Sequence, residues 1–213
     1  MFTDLTVLCL SAISVGAIHT LLGPDHYVPL VAMSRVGGWS RTKTLGVTAA
    51  CGLGHVAGAV VVGAVGLALG TTAMELEAFD GWRGDGAAWL LIGLGVASIA
   101  WAFRRWTGKS AAGGELSAKA CGWAPWFAFL VFVLGPCEPL IPLLMLPAAR
   151  VSASSLIVVT FAFTIATVST MVAAVAALRY GLAAWPLSVK AGVAHAAAGL
   201  AILVCGVLMV AGF

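Results

Sequence analysis

The chain has 213 residues, of which 62% are hydrophobic and 9% charged, and its mean hydropathy is +1.07. That is too apolar for a soluble domain of this length, so the sequence describes an integral membrane protein. The net charge of +3 reflects lysines and arginines gathered at one set of loops and is no evidence for nucleic-acid binding.

Six stretches are long and apolar enough to span a bilayer at about 20 residues per helix. In chain order they run from Leu5 to Gly23, Thr44 to Gly70, Gly86 to Phe103, Ala124 to Leu146, Ser154 to Leu178 and Val189 to Gly212. The first has no basic region before it and no convincing small-residue cleavage site after it, so it is expected to persist as a helix. Near its end stands His19-Thr-Leu-Leu-Gly-Pro-Asp25-His26, three ligand-type side chains in an apolar run. Ionisable groups at this depth usually face a protein-lined path or a bound ion, and imidazole with carboxylate suits a transition-metal cation. Seven residues is nearly two helical turns, so His19 and His26 would share a face of a continuous helix, and a break between them still lets them converge.

The second stretch contains Gly52-Leu-Gly-His55-Val-Ala-Gly58, in which glycines 54 and 58 have the small-xxx-small spacing of close helix approach. That approach would bring His55 against the first span. Cys51, one turn earlier, is either a chelating neighbour or a small core residue. Thr71 to Asp85 reads as an acidic loop, with Glu75, Glu77, Asp80 and Asp85 against Arg83; it either focuses cations or is simply solvated. The stretch 104–123 reads as a basic linker between halves. Its Gly108-Lys109-Ser110 lacks the earlier glycine of a phosphate-binding loop, since Phe103 stands there.

A repeat spans that linker. Leu22-Gly-Pro-Asp-His-Tyr-Val-Pro-Leu30 parallels Leu134-Gly-Pro-Cys-Glu-Pro-Leu-Ile-Pro-Leu143, and at the same offset of 112 Gly54-His55-Val-Ala57 falls on Ala166-Thr167-Val-Ser169. The expected fold is therefore all-α, six transmembrane helices in a three-plus-three inverted repeat, residues 1–103 and 124–213, with helix breaks at Gly23-Pro24 and Gly135-Pro136. Asp25 would occupy the first turn of a half-helix reaching about Val36. In the second half, Cys137 and Glu138 correspond to Asp25 and His26, and a buried glutamate there calls for a cation or histidine partner. Thr167, Ser169 and Thr170 either line a solute path or bond backbone, and His195 has no motif around it.

Nine basic residues follow the first, third and fifth spans (Arg35, Arg41, Lys43, Arg104, Arg105, Lys109, Lys119, Arg179, Lys190), whereas Arg83 and Arg150 lie on the other side. By the positive-inside rule both termini are outside the cytoplasm of an inner membrane. The five cysteines form no Cys-x-x-Cys pair, so structural disulfides are not expected.

These residues resemble the nickel/cobalt transporter superfamily, whose members carry His-x4-Asp-His or His-x5-Asp-His on an early helix and Leu-Gly-His on the next. Here the motifs read His19 through Asp25-His26 and Leu53-Gly54-His55, with the five-residue spacing of the HupE/UreJ and UreH-like branches. The similarity covers residues 15–62 and, more weakly, 129–146; elsewhere it is hydropathy alone. It implies that His19, Asp25, His26 and His55 take part in recognising Ni²⁺ or Co²⁺, with Zn²⁺ an alternative, as cargo of a permease rather than a bound cofactor or an enzyme's metal. Cys137 and Glu138 complete the candidate set. It also implies, as partners, metallochaperones or the maturation proteins of urease or hydrogenase. A second resemblance sets Gly-Pro-Cys137-Glu-Pro beside the Pro-Cys motif of CcdA/DsbD thiol carriers, but Asp25 occupies the place of the partner cysteine. A LysE-type small-solute exporter is the remaining alternative.

Overall fold

A computed structural model describes residues 2–107, 125–137, 139–143, 152–181 and 191–212. Among these residues there are helices and turns and no strand. Helix α1 covers Phe2–Leu22, α2 Val28–Val36, α3 Arg41–Leu69, α4 Ala73–Trp106, α5 Pro125–Leu134, α6 Ala153–Ala176 and α7 Ala191–Val210. Five of them, α1, α3, α4, α6 with its following turn, and α7, are long and apolar enough to cross a membrane, and α5 is a shorter apolar helix. Large apolar side chains such as Leu10, Val65, Trp126, Ile157 and Phe161 are exposed around the outside. Such a belt would be untenable in water and is what hydrocarbon solvates.

Both Gly-Pro pairs end helices. Proline disfavours helical backbone in the residue before it and has no N–H to continue the ladder. Gly23 is accordingly extended (φ −86°, ψ 95°), α1 stops at Leu22, and a 3₁₀ turn over Pro24–His26 leads into the nine-residue α2. The Tyr27 hydroxyl donates to the Leu21 carbonyl at 3.2 Å, occupying an acceptor that the break leaves without a helical partner. Likewise α5 stops at Leu134 and helix resumes at 140–143. The fourth predicted span, Ala124 to Leu146, is thus interrupted at Gly135-Pro136, where the sequence placed a break.

The acidic loop expected over Thr71 to Asp85 is instead the amino-terminal part of α4. Thr72 and Glu75 form a reciprocal capping box: the Glu75 carboxylate accepts from the Thr72 N–H at 2.8 Å and the Thr72 hydroxyl from the Glu75 N–H at 3.3 Å. Helix therefore starts at Ala73 and runs for 34 residues, about 51 Å at 1.5 Å per residue, longer than a hydrocarbon core of about 30 Å.

The most extensive packing joins α4 to α7, followed by α1 with α6 and α3 with α6. Glycines set the closeness of these crossings. A Cβ on Gly95 would meet Leu203, one on Gly206 would meet Ile92 and the Ala88 carbonyl, and one on Gly16 would meet Phe163 and Thr167. Of the basic linker expected over 104–123, residues 104–106 are instead the end of α4; its remainder from 108, with Lys109, Lys119 and Cys121, and also Glu138, Arg150 and Lys190, lie outside the described residues.

Candidate metal centre

Three imidazoles meet where the first break crosses α3. His19 comes from the last turn of α1, His26 from the 3₁₀ turn, and His55 from the middle of α3. The His26 ring lies 4.8 Å from that of His19 and 4.9 Å from that of His55, edge-on to both. One ring nitrogen from each histidine falls within 4.8 Å of the others. Two nitrogens bound to one tetrahedral ion at bonds of about 2.1 Å are about 3.4 Å apart, so the widest pair would close by roughly 1.4 Å to hold a metal.

The hydrogen bonds around the rings decide which atoms are free. His55 Nδ1 is 3.2 Å from the Phe132 carbonyl of α5, and His26 Nδ1 is 3.2 Å from the Gly23 carbonyl and 3.3 Å from Asp25 Oδ2. Carbonyl and carboxylate partners place the ring proton on Nδ1 and leave Nε2 with its lone pair. The Nε2 atoms of all three histidines are buried and have no hydrogen-bond partner among the described residues. A buried polar atom without a partner is costly, and three of them on histidines that each bring a ring nitrogen within 4.8 Å of the others are what a cation would satisfy.

Asp25 stands beside the cluster, against His26. Its carboxylate lies 3.3 Å from His26 Nδ1, and it lines a small cleft with His26, His55, Phe132, Gly135 and Met209 among the walls. Cys137 does not join the cluster: it is buried among Ala12, Val56 and Leu140, and its N–H donates 2.8 Å to Asp80 Oδ2. Glu138 lies outside the described residues. Cys51 packs with Leu30, Phe132 and Met171 in an apolar cluster, the core alternative of its two readings. Thr167 is fully buried, with its hydroxyl unpartnered near Gly16, whereas Ser169 bonds the Ala166 carbonyl. His195 lies against Trp101, ring centroids 4.6 Å apart.

The approach of α3 to α5 holds His55 in place. A Cβ on Gly54 would fall 2.7 Å from Phe129, and one on Gly58 would fall 2.6 Å from the Val133 carbonyl, which as main chain cannot swing aside. Gly58→Val should therefore separate α3 from α5, break the His55 bond to the Phe132 carbonyl, and destabilise the protein by about 1–3 kcal/mol. Thermal unfolding in detergent would measure it; an unchanged midpoint would show that the helices do not depend on this contact.

Sequence reasoning missed Asp80 and Arg83. Asp80 is fully buried and ion-paired with Arg83, and Arg83 donates 3.2 Å to the Gly135 carbonyl. With the Cys137 N–H on Asp80, the pair grips the second break from both sides of Pro136. The Thr72-x-x-Glu75 signature announced the helix that carries them; the partners themselves are main-chain groups more than fifty residues away.

No protein-family model, curated protein or solved structure matches the chain in comparisons of sequence and fold.

Proposed function

We propose that the protein is a membrane permease for a divalent transition-metal cation, Ni²⁺ or Co²⁺ first and Zn²⁺ next, with the His19, His26 and His55 cluster as its recognition site. The observation that carries this reading is the set of three buried Nε2 atoms without partners, two of them on rings whose Nδ1 is already anchored. Imidazole nitrogens suit these ions, and affinity order alone does not choose among them. The hydrated ion exchanges part of its water for the three nitrogens. Asp25 holds His26 in register and supplies negative charge beside the cation.

The wider reading is an inverted repeat whose halves rock about the two Gly-Pro breaks. Helix contacts support it. Gly16 lies against Thr167, and exchanging halves at the repeat offset carries that pair to residues 128 and 55, one position from the observed contact of Phe129 with Gly54. The contact of Gly95 with Gly199 maps in the same way to residues 207 and 87, one position from Gly206 with Ala88. A pseudo-twofold arrangement produces such reciprocal pairs. The sixth span belongs to the same reading, formed by α5 together with the helix resuming at 140.

Orientation follows from the basic residues, and the Arg83 ion pair removes one of the two opposing charges from the count. Reporter or cysteine-accessibility mapping should put both termini and residue 72 outside the cytoplasm; a cytoplasmic amino terminus would reverse the orientation. The function itself is tested by metal accumulation in cells expressing the protein, with nickel, cobalt and zinc compared. A change in content of one of these ions that disappears in the His19/His26 double alanine variant is the expected result. Wild-type metal content in that variant would overturn the assignment.

A further inference from the structure

A second cluster lies at the end of the molecule where α2 finishes, α3 starts and α6 ends. The last turn after α6, Ala177–Gly181, is a π-helical turn. Arg35 answers two of its carbonyls, donating to those of Leu178 and Arg179 at 3.1 and 3.4 Å. Two further guanidinium groups are gathered at the same turn without that reason: Arg41 and Arg179 each stand 5.4 Å from the centre of the Tyr180 ring. Lys43 is close by along α3, over the Trp39 ring at 5.1 Å.

Three guanidinium groups on one turn repel one another, and among the described residues none of them meets a carboxylate; the ion pairs there are Asp80 with Arg83 and Asp25 with His26. Arg179 Nε and the Tyr180 hydroxyl are buried donors with no acceptor. The missing component is an anion with several acceptor oxygens, held at a helix-end level framed by Trp39 and Tyr180, aromatic residues of the kind that settle among lipid headgroups. Guanidinium groups match phosphate oxygens bidentately, and basic pockets between membrane helices take anionic headgroups.

We infer that Arg35, Arg41 and Arg179, around Tyr180, form a binding site for the phosphate of an anionic phospholipid. Arg35 and Arg41 belong to the first half of the chain and Arg179 to the second, so the bound headgroup ties the two halves together at this end. The site uses none of the histidines and stands independently of the metal reading.

The test uses the full-length protein purified in a mild detergent. Native mass spectrometry with equal phosphatidylglycerol and phosphatidylcholine should show phosphatidylglycerol retained in preference. Phosphatidylglycerol should also raise the thermal midpoint by roughly 2–4 °C, as expected for a ligand that binds only the folded state. The Arg41→Gln/Arg179→Gln variant should lose both the retention and the shift. Arg41→Lys, which keeps the charge but not the fork, should keep part of each, and serves if the double variant does not fold. Equal retention of the two lipids, or a wild-type shift in the double variant, would overturn the site. An equal shift with inorganic phosphate would overturn the lipid assignment in favour of a free-anion site.

Discussion

His26→Ala should abolish metal-dependent accumulation or efflux while leaving the protein in the membrane. His26 is the middle ring of the three, edge-on to both neighbours at 4.8 and 4.9 Å, so its removal leaves His19 and His55 without a shared ligand between them. His19→Ala should have the same effect, and His55→Ala should weaken transport strongly. Asp25→Asn separates two roles. If the carboxylate orients His26 through Nδ1, affinity falls about 10–100-fold, the range for loss of a partner behind a metal ligand. Complete loss of binding in Asp25→Asn would make the carboxylate a direct ligand instead. Metal titration of the purified protein, compared with transport in cells, reads both quantities, and unchanged transport by His26→Ala would remove the centre from the mechanism.

The second large effect is expected at Asp80. Asp80→Ala removes the carboxylate and leaves the Arg83 guanidinium buried without its counter-ion and the Cys137 N–H without its acceptor. Breaking one partner of a buried pair costs about 3–5 kcal/mol. The variant should therefore accumulate poorly in the membrane and unfold at markedly lower temperature. Adding Arg83→Met removes the stranded charge and should recover much of the loss, because two apolar residues carry no desolvation penalty. Fluorescence-detected gel filtration after heating compares the three proteins; an Asp80→Ala protein as stable as the wild type would show that the pair is not structural.

Some of this architecture was legible in the residues themselves. Proline after glycine dictates a break whatever surrounds it, so the ends of α1 and α5 followed from Gly23-Pro24 and Gly135-Pro136. The convergence of His19, His26 and His55 was legible because polar groups in an apolar span must find each other. The amino-terminal part of α4 reads as a loop because Glu75, Glu77, Asp80, Arg83 and Asp85 lower its hydropathy, although the Thr72-x-x-Glu75 capping box marks its start; the burial of Asp80 comes only with the tertiary fold. The contact of Asp25 with His26 Nδ1 was beyond reach for a different reason: which edge of a neighbouring imidazole a carboxylate meets depends on a torsion that no spacing encodes.

The grip of α4 on the second break also fixes an order of events during synthesis. Asp80 leaves the ribosome 57 residues ahead of the Cys137 N–H it will bond, and Arg83 is 52 residues ahead of the Gly135 carbonyl. Until those groups arrive, a carboxylate and a guanidinium have only each other for company, and the amino-terminal end of α4 is better kept in water or in the insertion channel than released into lipid. The nascent chain thus waits, unfinished at that end, for the later residues to be threaded, and a chain truncated before residue 135 should be a substrate for membrane quality-control proteases rather than a stable fragment.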